Sequence, residues 1–295
     1  MTVLGSHNLI ENNLIHTVCW NGSLKYNAIR CDARPGREEN EEGCTIIRRN
    51  TAFSCGNSIV SACGMPHYIV ELNHLYDGGL ACKDVSLLYT HLPVIEPSTF
   101  RYNWVHDCHS EHIALGIRGD DQTRGLTVHH NVVWGCDWFG IIVKGDRNRV
   151  YNNTVLGSGK YDILMRRRSE PEKPWRKQWP LLPVQHEHSE CHNNIARYIS
   201  SSDHGAERIE PLNCPNKCNC TGEDPMLADP ANLDFRPRDG SPVIGAGRVI
   251  EGISDGYIGV APDIGAYEHG GNRWVPGVDW SQEEIEKRMY HRLVW

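Results

Sequence analysis

Four side chains able to bind or rework an anionic substrate end short β-type segments of similar shape. Tyr89 follows Val85–Leu88, Arg118 follows Ile113–Ile117, Lys144 follows Phe139–Val143 and Arg166 follows Tyr161–Met165; Ser61 ends a fifth segment. Alternation with period two turns Val60, Leu88, Ile117, Val143 and Met165 inward and their successors outward. Stacked, these segments present Ser61, Tyr89, Arg118, Lys144 and Arg166 as one exposed column. Lys144 beside Arg166 is the pairing that proton abstraction next to a carboxylate requires. A neighbouring guanidinium lowers the lysine pKa toward neutrality, and fixed positive charge steadies the enediolate that forms. Solvated basic residues at strand ends would leave the same trace in sequence.

A second concentration of reactive types is His106-Asp-Cys-His-Ser-Glu-His112. With His129, His130, Asp120 and Asp121 it has the makings of a His/Tyr acid–base site or a metal site. Asp107, Glu111 and Asp120 are the metal-ligand candidates, and oxygen donors of this kind suit Ca²⁺. A plain polar turn is the competing reading. Cys108 and Cys136 each stand five residues after an asparagine of the repeat described next. In stacked coils their Cα atoms would lie about 5 Å apart, within disulfide range; a stack of buried free thiols fits as well. Cys214, Cys218 and Cys220 are too closely spaced for a zinc ribbon and read as a disulfide-stapled loop.

What must position these residues is a repeat. Seven segments share an apolar residue, two variable residues, Asn, one residue, then an apolar or small one: Ile10–Asn13–Ile15, Ile47–Asn50–Ala52, Val70–Asn73–Leu75, Phe100–Asn103–Val105, Val128–Asn131–Val133, Val150–Asn153–Val155 and Cys191–Asn194–Ala196. The later asparagines are separated by 23, 30, 28, 22 and 41 residues. Loose periods in the twenties fit the coils of a parallel β-helix carrying loop insertions. Asparagines at one coil position then stack about 4.8 Å apart and bond along a ladder. The fold expected is all-β: a right-handed parallel β-helix over 1–200, with a projecting loop at about 166–188. A Cys-containing loop and closing segment follow at 201–268, then a tail over 269–295 whose Ser281 and Glu284 form a capping box for a short helix at the end of the stack.

Bulk properties narrow the function classes. A net charge of −7 over 295 residues argues against a general nucleic-acid binder, and no apolar run is long enough to span a membrane. Twelve cysteines and sequons at Asn21, Asn152 and Asn219 point to a secreted glycoprotein with disulfides. The first residues are not a signal peptide, so the chain reads as a piece whose N-terminal coils are missing.

From Glu223 the composition changes. Asp224-Pro-Met-Leu-Ala-Asp-Pro-Ala-Asn-Leu-Asp-Phe-Arg-Pro237, Gly240-Ser-Pro-Val-Ile-Gly-Ala-Gly247 and Pro262-Asp-Ile-Gly-Ala-Tyr-Glu268 resemble the C-terminal signature of secreted β-helix proteins related to polysaccharide lyases, within the pectate-lyase-type superfamily. Tyr102-Asn-Trp-Val-His-Asp107, Val128-His-His-Asn-Val-Val-Trp134 and Gly140-Ile-Ile-Val-Lys-Gly-Asp146 are similar to the same group, so the resemblance covers about 100–268. Lys144 and Arg166, one coil apart, are similar to the Lys base and Arg partner of the chondroitinase B and alginate lyase family. There Lys removes the proton beside a uronate carboxylate and Arg assists the leaving oxygen. Where that family has His and Gly after its Arg, this chain has Arg167 and Arg168.

The resemblance implies a secreted carbohydrate-active protein that binds an acidic polysaccharide and cleaves it by β-elimination. Lys144 and Arg166 are the catalytic candidates, and Tyr89, Arg118, His129 and Arg167 the substrate-binding ones. The alternatives are a non-catalytic glycan-binding or structural β-helix, and a glycoside hydrolase or uronate epimerase on the same fold. Hydrolysis would need a carboxylate pair drawn from Asp107, Glu111, Asp120 and Asp146.

Overall fold

In the computed structural model, which describes residues 1–23, 26–33, 43–168, 182–202 and 209–290, the asparagines stack as a ladder of hydrogen bonds. Asn13, Asn50, Asn73, Asn103, Asn131, Asn153 and Asn194 each pass one Nδ2 hydrogen to the Oδ1 of the next rung at 2.8–3.0 Å, the last acceptor being Asn219. Each accepting Oδ1 also takes the backbone N–H of the preceding asparagine at 2.9–3.1 Å. The second Nδ2 hydrogen turns to carbonyls, as Asn103 does to Val70 at 2.9 Å and Arg101 at 3.0 Å. Asn219 is an eighth rung that the seven-segment pattern misses, because the polar Asn216 and Thr221 stand where its apolar flanks would be.

The ladder sits at a corner between two strands. The residue before each rung (Asn12, Arg49, Leu72, Tyr102, His130, Asn152, Asn193, Cys218) is left-handed, with φ between 47° and 58°. None is β-branched, as that conformation demands. Around these corners the chain winds as a right-handed parallel β-helix with three faces. Sheet A holds Thr2–Leu4, Ile29–Asp32, Val60–Ala62, Asp84–His91, Ile113–Asp120, Phe139–Val143, Tyr161–Met165 and Ile199–Ser200. Sheet B holds Leu9–Glu11, Thr45–Arg48, Tyr68–Glu71, Ser98–Arg101, Leu126–His129, Arg149–Tyr151, Glu190–His192 and Asn216–Lys217. Sheet C holds Leu14–Val18, Thr51–Cys55, His74–Gly78, Trp104–Cys108, Val132–Cys136, Thr154–Leu156 and Ile195–Ala196. The apolar partners of the asparagines occupy the predicted register. Ile47, Val70, Phe100, Val128, Val150 and Cys191 form the inner row of sheet B, and Ala52, Leu75, Val105, Val133, Val155 and Ala196 that of sheet C.

Three expectations need correction. All twelve cysteines are free thiols. Cys108 and Cys136 are register partners and both buried, but they serve as small apolar side chains of the stack; Cys214, Cys218 and Cys220 do not bond either. The sequon asparagine Asn152 is fully buried, its amide held by the Asp263 and Gly265 carbonyls, so a glycan has no access. Asn219 is a ladder rung, which leaves Asn21 as the exposed sequon.

The third concerns the closing segment, which does not stay at one end. It runs as a strap along the edge of sheet C back toward the first coil. Gly265 N–H donates to Asn193 at 2.8 Å and Ala266 N–H to Thr154 Oγ1 at 3.0 Å. Trp104 Nε1 donates to Tyr267 at 3.1 Å, and Val278 N–H reaches Thr51 Oγ1 at 3.0 Å. The capping box forms as expected, with the Glu284 N–H donating to Ser281 Oγ at 3.2 Å at the start of helix Gln282–Tyr290. The middle of the loop expected at 166–188 lies outside the described residues. Among the described residues no helix is long and apolar enough to cross a membrane.

Replacing Asn103 with Ala leaves two donors of Asn73 without an acceptor in a dry interior, each costing about 1–3 kcal/mol. Urea unfolding of Asn103→Ala is therefore expected to show at least about 2 kcal/mol of lost stability, against within about 0.5 kcal/mol for the exposed Asn21→Ala. Thiol titration of the protein unfolded without reductant is expected to find all twelve cysteines.

Candidate functional site on the outer face of sheet A

The expected outward column divides into two rows. Tyr89 pairs with Ser61 and Arg118, but Arg118 pairs with Ile142, not with Lys144. Lys144 belongs two residues further along, where its N–H donates to Gly119 at 2.8 Å and so sets it beside Asp120. Arg166 follows one coil on, its N–H donating to Val143 at 2.9 Å. The first row reads Arg30, Ser61, Tyr89, Arg118, Ile142, Leu164; the second reads His91, Asp120, Lys144, Arg166. Lys144 and Arg166 are thus register partners on successive coils. A slip of two residues keeps every side chain on its face, which is why the inward residues are buried as expected while the column is wrong.

The residue that joins the two rows is Asp120. Its Oδ2 lies 2.6 Å from Arg118, and its Oδ1 accepts from the Lys144 ammonium. Arg118 in turn bonds Asp84 Oδ1 at 2.6 Å, and its guanidinium lies 5.6 Å from the Tyr89 ring centre. Consecutive Leu87 and Leu88 are both in the core, so alternation breaks there and Asp84 comes round to the face that carries Arg118. Burial alone would raise the Asp120 pKa; Arg118 and Lys144 overcome it and hold the carboxyl well below its ordinary range. Burial lowers the Lys144 pKa, with help from Arg118 and Arg166 and against the pull of Asp120. Asp121 moves the other way, raised by burial and by the neighbouring Asp120. The Arg166 side chain has no ion-pair or hydrogen-bond partner among the described residues.

The remaining candidates lie apart from this cluster. His129 ends a strand of sheet B, with its Nδ1 2.8 Å from His130 Nδ1. Burial and His130 lower its pKa, so the imidazole stays neutral. Arg167 is spent on the Ser201 carbonyl at 2.8 Å and on Glu210. Asp107 pairs with His106 Nδ1 at 2.8 Å on the edge of sheet C, and Glu111 pairs with Lys83 at 3.2 Å in solvent. Asp107, Glu111 and Asp120 therefore do not converge, and among the described residues no cluster of His, Cys, Asp or Glu has the arrangement of a metal site. His106 stacks between Tyr76 (4.9 Å) and Trp134 (3.9 Å) in an aromatic ladder, which gives this histidine a structural role.

The sequence reading missed Arg30, Asp84 and His91. Arg30 lies in the Ser61 row, and His91, two residues past Tyr89, is in register with Asp120. Asp84 carries no periodic signal, because it reaches the site by breaking the alternation.

No family model matches this sequence, and no curated protein matches it. Among solved structures the chain is similar to XylC in complex with xylose, at 17% identity and a TM-score of 0.45, over 75% of this chain and 48% of that one. It is also similar to pectate lyase Pel9A, at 17% identity and a TM-score of 0.47, over 90% of this chain and 66% of that one. The chain spans less than two thirds of the length of either.

Asp120→Asn leaves the buried Lys144 without its counter-ion and Arg118 with Asp84 alone, and is expected to cost about 3–5 kcal/mol. Because the folded-state pKa of Asp120 is depressed, its contribution is complete above its unfolded value and is lost as pH falls through the folded one. The difference in melting temperature between wild type and Asp120→Asn should hold from pH 7 to 5 and shrink below about pH 4.

Proposed function

We propose that this chain is a carbohydrate-active β-helix protein that acts outside the cell on a uronate-containing polysaccharide lying along the outer face of sheet A, cleaving it by β-elimination. The observation that carries this reading is the stacking of Lys144 and Arg166 on successive coils, with the lysine pKa lowered by burial. Lys144 as the free amine takes the C5 proton beside the uronate carboxylate. The electron pair forms the C4–C5 double bond and expels the glycosidic oxygen, which takes a proton from water. Arg166, without a partner among the described residues, neutralises the carboxylate as enediolate charge builds. Asp120 holds the ammonium in place while substrate is absent.

That same bond favours one competing reading, a β-helix that binds glycans without turnover, because Lys144 must leave Asp120 to act as a base. Hydrolysis is less well supported, since Asp120 is held ionised and cannot serve as the acid.

The test is absorbance of unsaturated uronate on alginate, chondroitin and pectate, with and without Ca²⁺. Turnover on one of them is expected, falling at least about a hundredfold in Lys144→Ala and in Arg166→Ala. No absorbance rise on any would reject elimination, and retained binding would then favour the non-catalytic reading. The rising limb of the rate–pH profile should lie below the ordinary lysine value of about 10.5. Asp120→Asn, which removes the group that raises the Lys144 pKa, should move that limb to lower pH.

A further inference from the structure

The C-terminal strap crosses the row of left-handed corner residues and is tied to it on both sides of a gap. On one side Asn152 Nδ2 donates to the Asp263 carbonyl at 3.2 Å and Asn193 Nδ2 to the Arg248 carbonyl at 2.8 Å. On the other the Gly277 N–H donates to the Leu72 carbonyl at 2.8 Å. Between these ties come the corners Tyr102 and His130, and among the described residues no hydrogen bond joins either to the strap. A cavity of about 410 Å³ opens there, walled by these two corners and by strap residues within 253–258 and 266–274.

The wall is aromatic and acidic. Tyr102 meets Trp274 edge-on at 5.4 Å, and Tyr257 is 36% exposed with no ring partner among the described residues. The charged groups of the wall are Asp255 and Glu268, and it contains no lysine or arginine. Arg101 and Arg273, next in sequence to Tyr102 and Trp274, are engaged elsewhere. Arg101 pairs with Glu71 at 2.7 Å, and Arg273 donates to the Asn232 and Leu233 carbonyls at 3.3 and 3.0 Å. Among the described residues both wall carboxylates bond only backbone N–H groups: Asp255 that of Gly252 at 2.7 Å, and Glu268 those of Asp263 at 3.0 Å and Ile258 at 3.4 Å. Their negative charge is therefore unanswered. Burial raises the Glu268 pKa, and the neighbouring Asp263 adds to the rise. His130 supplies no charge, since burial and Arg101 lower its pKa to about 4.

An anion entering this cavity meets two like charges, whereas a cation meets two carboxylates and aromatic rings, whose faces are negative. We propose that the cavity binds an organic ammonium ion, drawn by Asp255 and Glu268 and packed against Tyr102, Tyr257 and Trp274. A hard metal ion fits the wall poorly: it needs six or more oxygen ligands, and here two carboxylates stand among rings and already accept N–H bonds. A bulky, weakly hydrated ammonium needs fewer oxygens and gains from contact with the rings. The site lies at the corner between sheets B and C, on a different part of the coil from Lys144, and is independent of any activity there.

The experiment is titration of the full chain with choline, followed through the methyl proton signal of the ligand in NMR. The control probe is dimethylbutanol, the uncharged carbon isostere of choline, and a third titration uses cellobiose, a neutral sugar. Choline should bind saturably at millimolar concentration, at least about fivefold more tightly than the isostere, and more weakly as salt is added. Tyr257→Ala and Asp255→Asn should each weaken it about two- to fivefold, the contribution of one exposed cation–ring contact or ion pair. Both residues are exposed, so the melting temperature should not change. Tyr26→Ala, which removes an exposed tyrosine outside this wall, should leave the affinity as it is. No saturable binding of choline, equal binding of the isostere, or an affinity unmoved by both Tyr257→Ala and Asp255→Asn overturns the ammonium site. Binding of cellobiose without choline also overturns it, and reassigns the cavity to an uncharged glycan. Loss of β-elimination in wild type leaves every one of these readings intact.

Discussion

Everything in this molecule hangs from a side-chain amide repeated at one corner of the coil. Each corner holds a non-glycine residue in left-handed conformation, which costs about 1–2 kcal/mol. Each is followed by an asparagine, and in every rung between the first and the last its Oδ1 accepts two hydrogens from the coil before and its Nδ2 donates to the coil after. The bonds formed are buried, and their gain offsets the local strain only when the neighbouring coil is present. A single coil therefore cannot hold its own corner, and the fold is cooperative along its axis.

The ladder sets the axial register of sheets B and C directly, since the rungs lie two residues at most from their strands. Sheet A is reached only after another turn of variable length, and there the chemistry is decided by charge. Arg118, Asp120 and Lys144 share a largely buried face with the part-exposed Asp84 at its edge, and the buried charges persist because they answer one another. A column read as basic is in fact a neutralised network for most of its length, and among the described residues positive charge is left over near Arg166. This division, neutral across the middle coils and cationic beyond them, gives the face two different electrostatic characters.

Much of the fold was legible in the sequence because its signal is local. The Asn flanks lie within three residues of each rung, so Val70–Asn73–Leu75 or Val128–Asn131–Val133 can be aligned by eye, and their registers are correct. The site was less legible. Lys144 and Arg166 were correctly placed one coil apart, yet aligned with Arg118 when they belong with Asp120. Inside and outside repeat every two residues, so alternation cannot tell a correct register from one displaced by two. Asp120 was noticed as an oxygen donor for a metal, whereas its neighbours make it the counter-ion of a lysine and an arginine. Asp84 had no periodic mark at all.

What the sequence by itself determined is the parallel β-helix, its Asn corners and its inward rows, since these follow from short-range spacing and from the need to bury one face of each strand. What only the tertiary structure decided is which charges meet, where the C-terminal strap lies and that the cysteines stay unbonded. Those depend on loop lengths between sheets and on residues distant in the chain, which no local period encodes. A carboxylate two positions away in sequence alignment becomes a contact partner in space, and that step turns a row of candidates into a site.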